Sequence, residues 1–351
     1  MMIHGRGLAA VLVVAIWLGS ASGQTKYKLE VAEKQTVTGT LTYSAKFADL
    51  QAKEWIAFAA VAPELPGQKN PKTVFDFPGV EKVKDKSPLA RPALIAKVPA
   101  KTDDLKTKLS MKVIYTATLF SRHLVKAGDD PAAEVKPLTV QEAREGLAEH
   151  GDIDFKDAGF QKWYKGAGYT KGQDEAEIPF ARRIFLGLRD SHSYDFKPGM
   201  DRKASAVCDG GKSDCGGLSH FFAAVMRANG VPARTLYGRW AKSAKADEKL
   251  GDALYFQWHV KSEFFAPGVG WVPVDLSVGI LHDKSKEGLA YFGHDAGDFL
   301  TLHIDPNFQL DTGAFGKQAV HNLQEPAFWV TGSGNMDKRI DKESWTVEVK
   351  K

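Results

Sequence analysis

The sequence contains little cysteine, no hydrophobic run long enough to span a membrane and no marked excess of either charge. Its 351 residues include only two cysteines, Cys208 and Cys215, which excludes a disulfide-stabilised scaffold and a zinc site with four thiolates. The 47 basic residues barely exceed the 43 acidic ones and are spread along the chain, so no nucleic-acid or membrane-surface partner is indicated. A composition of 43% hydrophobic and 26% charged residues is typical of a globular protein.

The longest apolar stretch lies near the amino terminus, at residues 8–18. It is too short to span a bilayer, which requires about 20 residues. Arg6 precedes this stretch, and the small residues Ala21 and Gly23 follow it, which is the pattern of a secretory signal peptide. We predict that residues 1–23 are a signal peptide and that the mature protein is secreted or periplasmic, without membrane contact after cleavage. An uncleaved anchor is the alternative.

Two regions with different patterns follow the signal peptide. In residues 24–128, apolar and polar residues alternate with the period of a strand, and prolines separate the alternating runs. This pattern predicts a small β-sandwich domain. Residues 129–351 begin with helical periodicity and continue with strand-like runs up to the carboxy terminus. The second region is therefore predicted to be an α+β domain with a carboxy-terminal strand extension.

Cys215 lies at the predicted start of a helix whose apolar face is formed by residues 218–226. Free N–H groups at a helix start stabilise a thiolate, so we expect the pKa of this thiol to be lowered. Gly216 and Gly217 leave the backbone beside the sulfur open to a substrate carbonyl. Cys215 is therefore a candidate nucleophile. A permanent or reversible disulfide with Cys208 is the alternative, and it would block the sulfur.

A hairpin further along the chain is predicted to bring a base and a carboxylate together. If Phe264 pairs with Gly270 across the turn, His259 lies directly opposite Asp275, and both side chains point to the same face. The carboxylate can then orient the imidazole through one ring nitrogen and leave the other to take a proton. A purely structural histidine–aspartate pair is the alternative. The residues alone do not establish that this pair reaches the thiol.

Three separated motifs resemble those of the transglutaminase-like superfamily. They are Asp214-Cys215-Gly216-Gly217 with the downstream Gly230-Val231-Pro232-Ala233-Arg234, then Trp258-His259-Val260, and finally Gly270-Trp271-Val272-Pro273-Val274-Asp275. The resemblance covers about residues 175–280. It implies a papain-like core, in which a helix carrying the cysteine packs on an antiparallel sheet. It also implies a catalytic triad of Cys215, His259 and Asp275.

The same resemblance implies an exported thiol enzyme that attacks an amide carbonyl and forms a thioester. Water would complete hydrolysis, as in a cysteine protease or amidase, whereas a lysine amine would complete cross-linking, as in a protein-glutamine γ-glutamyltransferase. Both outcomes share the first half-reaction, and analogy with exported bacterial members favours hydrolysis. A catalytically silent protein that binds peptide or cell-wall material is the alternative from another class. The partner expected is a peptide or protein substrate, and the second oxyanion donor and the oligomeric state stay open.

No cofactor or metal is expected. The calcium-binding segments of the animal cross-linking enzymes are not recognisable in this sequence. His282, His294, His303 and His321 lack the spacing of metal ligands. His220, on the helix that starts at Cys215, is expected to pack rather than to react. Tyr237 and Trp258 are expected in the core or in a pocket wall.

Overall fold

The computed structural model describes residues 26–128 and 135–350. The predicted signal peptide, residues 1–23, lies outside the described residues, as do residues 129–134 at the start of the second predicted region. In chain order the elements are β1 (Tyr27–Ala60), β2 (Gln68–Phe75), β3 (Glu81–Lys84), β4 (Pro92–Pro99), α1 (Asp103–Thr107), β5 (Lys108–Lys126), α2 (Val140–Leu147), α3 (Ala158–Gly166), α4 (Glu177–Ser191), β6 (Ser193–Tyr194), α5 (Ala204–Gly210), β7 (Lys212–Ser213), α6 (Cys215–Ala228), β8 (Ala233–Trp240), β9 (Lys249–Leu250), β10 (Ala253–Leu254), β11 (Trp258–Ala266), β12 (Gly270–Val274), α7 (Leu276–His282), β13 (His294–Asp295), β14 (Phe299–Ile304), β15 (Phe308–Asp311), β16 (Lys317–Val320) and β17 (Ala327–Lys350).

The first region forms one curled antiparallel sheet of seven strands. Its strand order is β13-β5-β1-β4-β3, with β17 also paired to β1 and β2 to β5. Every second residue of β5 from Leu109 to Leu119 is buried, as the alternation in the sequence predicted. The structure has this single sheet where a small sandwich of short strands was predicted. The reason is that Tyr27–Ala60 contains no proline and continues as one strand through its bulges.

The last strand belongs to this first sheet. β17 pairs with β1 from Thr36 to Phe58, although the sequence pattern placed it as an extension of the second domain. Trp345 of β17 is 1% exposed and packs into the first sheet's core. A Cβ at Gly39 would lie 2.0 Å from the Trp345 ring, so β1 needs a glycine at this point. Pairing between the two ends of a chain leaves no local pattern, which explains the misplacement.

The second region is built around α6 and a four-stranded antiparallel sheet of order β12-β11-β8-β14. The carboxylate of Asp214 caps α6 by accepting a hydrogen bond from the Gly217 N–H at 3.1 Å. Every residue from Gly216 to Arg227 is buried, because α6 packs against β8 and β11 on one side and against α4, α5 and α7 on the others. The helix ends at Asn229, followed by Gly230 with φ 74°. Among the helices described, none combines the length and the apolarity needed to cross a membrane.

Replacing Trp345 by alanine tests the contribution of the last strand. The indole of Trp345 packs in the core of the first sheet. Trp345→Ala should therefore lower the free energy of unfolding by about 3–5 kcal/mol. The measurement is urea denaturation followed by circular dichroism. Ile340→Ala is the matched control, since Ile340 lies on the same strand and is 62% exposed; it should change the free energy by no more than about 0.5 kcal/mol. Equal effects of the two substitutions would contradict the packing described.

Candidate active site

Cys215 is the first residue of α6, as the sequence predicted. The Asp214 carboxylate before it also binds the Arg202 guanidinium, at 2.8 Å from Nε and 2.6 Å from Nη2. A Cβ at Gly217 would lie 2.0 Å from the Ser213 hydroxyl oxygen. The start of the helix is therefore held by one buried ion pair and by close backbone packing, which together position the sulfur.

The environment of Cys215 raises the pKa of its thiol. Burial raises its pKa well above the usual value, and the Asp214 carboxylate acts in the same direction. A backbone hydrogen bond from Val260 and the charge of Arg202 lower the pKa, but their effects are smaller. The lowered pKa expected from the helix start is therefore wrong, because burial and a neighbouring carboxylate outweigh the helix N–H groups. A neutral thiol needs a base to take its proton during attack.

Both cysteines are free thiols, so the disulfide alternative is not present in this structure. Cys208 lies on α5, and its Sγ donates a hydrogen bond to the Ser205 carbonyl oxygen at 3.0 Å. Burial, followed by the charge of Asp209, raises the pKa of Cys208 to about 12. Cys208 is therefore an unreactive neighbour of the candidate nucleophile.

His259 and Asp275 form a buried pair. Nε2 of His259 lies 2.6 Å from Oδ2 of Asp275, which leaves Nδ1 as the second ring nitrogen. Oδ1 of the same carboxylate accepts hydrogen bonds from the Ser277 hydroxyl and the Val278 N–H, each at 3.1 Å. Burial alone would raise the pKa of Asp275, but the charge and hydrogen bond of His259, with Lys261 nearby, hold it below the usual value. The carboxylate is therefore ionised at neutral pH.

The register of the β11–β12 hairpin differs by two residues from the prediction. Phe264 pairs with Val272 and not with Gly270, because the loop contains only residues 267–269 and is closed by a tight turn. A shift of two residues keeps each side chain on its predicted face. The imidazole of His259 and the carboxylate of Asp275 still meet. Asp275 directly follows the last residue of β12, and its side chain contacts His259 across the two strands at a diagonal.

Two aromatic rings hold the imidazole of His259. Trp240 stacks on it with ring centroids 4.6 Å apart and an interplanar angle of 21°. Phe299 meets it edge-on, at 5.8 Å and 89°. On the other side of Phe299, the Lys261 ammonium lies 4.5 Å from the ring centroid. This packing fixes the plane of the imidazole, so that its free nitrogen keeps one direction.

Cys215 and His259 line the same cavity of about 90 Å³. Tyr237 and Trp258 are also in its wall, as predicted for a core or pocket position. Trp258 is the first residue of β11. The β9–β10 hairpin also lines the cavity; it could not be predicted, since strands of two residues produce no periodic pattern.

His220 has a structural role, as expected. Its Nδ1 lies 2.9 Å from the Arg202 carbonyl oxygen and so carries the proton, and its Nε2 therefore accepts a hydrogen bond from the Tyr237 hydroxyl. Burial lowers the pKa of His220 to about 4, which keeps the ring neutral. His220 thus anchors the segment whose Arg202 guanidinium holds the Asp214 cap.

A buried network of charges connects the first sheet to the strand that carries His259. Arg122 of β5 binds Glu263 at 2.5 Å and Asp295 at 2.8 Å. Lys261, two residues from His259 on β11, binds the same Asp295 at 3.0 Å. Glu263 thus fixes β11 to the first sheet. The network acts on the site through this strand.

Residues 166–276 match the family model of the transglutaminase-like superfamily. This segment contains Cys215, His259 and Asp275. The chain carries a transglutaminase-like core. The predicted fold class is confirmed: the protein is α+β, and in its transglutaminase-like core the cysteine-bearing helix packs on an antiparallel sheet.

Solved structures similar to this chain include two bacterial proteins. A candidate cysteine protease from Cytophaga hutchinsonii is 12% identical, with a TM-score of 0.53, and the match covers 90% of this chain and 92% of the other. The fold around the transglutaminase-like core is thus shared over almost the whole chain. The periplasmic domain of TgpA from Pseudomonas aeruginosa is 14% identical with a TM-score of 0.32, covering 68% and 90%. No curated protein matches the sequence.

Replacing Arg122 by methionine tests the buried network. Arg122→Met leaves Glu263 and Asp295 with one cationic partner fewer, so the free energy of unfolding at pH 7 should fall by about 3–5 kcal/mol. Lys106→Met is the control, because it removes an ion pair of 2.8 Å with Asp103 that lies at the surface. This substitution should lower the free energy of unfolding by less than about 1 kcal/mol.

The same variant should change the dependence of stability on pH. Burial raises the pKa values of Asp295 and Glu263, but nearby positive charges hold both below normal. These charges are Lys261 and Arg122 for Asp295, and Arg234 and Arg122 for Glu263. The stabilising contribution of the two carboxylates is therefore present above the unfolded pKa values of about 4 and is lost as the pH falls below them. Urea unfolding at pH 7, 5, 4 and 3 should show a smaller acid-induced loss in Arg122→Met than in the native protein. An unchanged pH profile would contradict this assignment.

Proposed function

We propose that this protein is an exported thiol enzyme that hydrolyses amide bonds in a peptide or protein substrate. Cys215 is the nucleophile, His259 the general base, and Asp275 the residue that orients the imidazole. One observation carries the proposal: the thiol and the imidazole line one cavity, while the carboxylate holds the opposite ring nitrogen at 2.6 Å. Export is proposed from residues 1–23.

In the first half-reaction, Nδ1 of His259 takes the proton of the neutral thiol as the sulfur attacks the amide carbonyl carbon. The ionised Asp275 accepts the Nε2–H hydrogen bond and stabilises the imidazolium that forms. The backbone N–H of Cys215, at the positive end of α6, can donate to the developing oxyanion. Collapse of the tetrahedral intermediate breaks the C–N bond. The leaving amine takes the proton from the imidazolium, and a thioester remains.

In the second half-reaction, the imidazole removes a proton from water, which attacks the thioester and releases the acid and the thiol. A lysine amine in place of water would complete cross-linking, as in a protein-glutamine γ-glutamyltransferase. We propose hydrolysis ahead of cross-linking by analogy with exported bacterial members of the superfamily.

Alkylation of Cys215 tests the thiol–imidazole pair. In a Cys208→Ser background, iodoacetamide should modify Cys215 at pH 7 at least about 10-fold faster than in the additional variant His259→Ala, because the raised thiol pKa leaves little thiolate without a base. The rate is followed by intact-protein mass spectrometry. His282→Ala is the matched control, since His282 is exposed and lies outside the cavity wall; it should leave the rate unchanged. Equal and slow alkylation with and without His259 would count against the enzyme.

Product analysis separates hydrolysis from transfer. Acetylated glutamine-containing peptides are incubated with the protein, with and without millimolar ethylamine, and the products are identified by mass spectrometry. We expect the hydrolysed product in both samples, none with Cys215→Ala, and a fall of about 10²–10⁴-fold in kcat/KM with Asp275→Asn. A dominant ethylamine adduct would assign the protein as an acyltransferase. Peptide binding without turnover would identify a silent binding protein.

A further inference from the structure

The outer wall of the cavity beside Cys215 is apolar. Phe196 and Trp258 form part of it, and Leu250, Ala253 and Leu254 of the β9–β10 hairpin complete it. Leu254 is 47% exposed, so the apolar surface extends from the cavity to the outside of the hairpin. This wall offers hydrocarbon surface to whatever lies beside the sulfur.

The charged groups in the cavity wall are already paired within the protein. Arg202 contacts Asp214 at 2.8 and 2.6 Å, and His321 contacts Asp152 at 3.0 Å. The imidazole of the proposed catalytic pair faces its own carboxylate. A charged substrate side chain in this cavity would lose its hydration without finding an unpaired opposite charge, which disfavours its binding.

The hairpin allows the cavity to admit a side chain of limited size. The cavity volume of about 90 Å³ is smaller than the roughly 150 Å³ that holds benzene in a protein core. β9 and β10 pair only with each other, and a two-stranded hairpin is marginally stable by itself. Its base is fixed by Glu248, whose carbonyl oxygen accepts from the Tyr255 N–H and whose carboxylate accepts from Gln257, both at 2.7 Å. The tip of the hairpin can therefore move relative to the cavity, while hydrogen bonds fix the residues at its base.

We propose that this cavity is a substrate subsite that takes an uncharged aliphatic side chain from a peptide, next to the bond that Cys215 attacks. The proposal rests on the proposed function and specifies its substrate class. The β9–β10 hairpin forms the outer wall of the subsite and closes over the bound side chain. Peptides with Asp or Lys at the corresponding position are poor substrates because the protein leaves them no free counter-charge.

The test uses acetylated, amidated heptapeptides in which one position at a time carries Leu, Val, Asp, Lys or Gly, with the other positions held constant. The kcat/KM of each peptide is measured by mass spectrometry. At one position of the peptide, the kcat/KM with Leu or Val should be about 10- to 100-fold higher than with Asp or Lys. Ala253→Phe, which fills the cavity, should lower kcat/KM for the Leu peptide about 10-fold and leave the Gly peptide little changed.

Two further variants control the design. Leu250→Asp places a charge in the wall and should shift the preference from Leu towards Lys. Ile340→Asp introduces the same charge on β17, at a residue that is 62% exposed and outside the cavity wall; it should keep the native preference. Iodoacetamide labelling of Cys215 in each variant verifies that the site is intact, because this reagent is small enough to bypass the subsite.

The outcomes separate this proposal from the proposed function. Turnover of the peptides without a preference for Leu or Val overturns the subsite and leaves the function standing. Absence of turnover overturns the function. In that case calorimetric titration of Cys215→Ala with the same peptides decides the subsite. Tighter binding of the Leu peptide than of the Asp and Lys peptides supports it, and equal or undetectable binding overturns it.

Discussion

Buried ion pairs join the two large sheets of the molecule, and the one at Arg122 reaches the strand that carries His259. Arg122 comes from the long first sheet, whereas its partner Glu263 comes from the strand that carries His259. Removing a charge from water costs several kcal/mol unless it is paired with good geometry, so the sheets pack stably only in the register that satisfies the guanidinium. The cavity itself is lined by residues between Tyr194 and Gln324. The first sheet therefore supports the strand that carries His259 without lining the cavity.

The chemistry of the candidate site follows from burial. Burial raises the pKa of the Cys215 thiol more than the N–H groups at the helix start lower it, so the protonated thiol is favoured. The carboxylate of Asp275 is buried as well, yet its partners hold its pKa below the usual value, so that it is ionised. The candidate site thus combines a thiol of raised pKa with an imidazole that a buried carboxylate orients.

Features that depend on neighbouring residues could be predicted from the sequence, whereas features that depend on distant ones could not. The helix start at Cys215 and the meeting of His259 with Asp275 follow from short segments, and both are present. The hairpin register differed by two residues because a Pro-Gly turn is compatible with more than one loop length. The position of β17 and the role of Arg122 depend on contacts across more than a hundred residues. The direction of the Cys215 pKa depends on burial, which only the folded chain provides.

The pairing of the first and last strands affects when the chain can fold. Tyr43 and Asp341, 298 residues apart, are joined by a hydrogen bond, and Trp345 completes the packing around Gly39. Contacts between such distant residues form slowly, and they cannot form before synthesis has reached the carboxy terminus. A growing chain therefore cannot complete its seven-stranded sheet until β17 has been synthesised, and until then one edge of β1 stays without its partner strand.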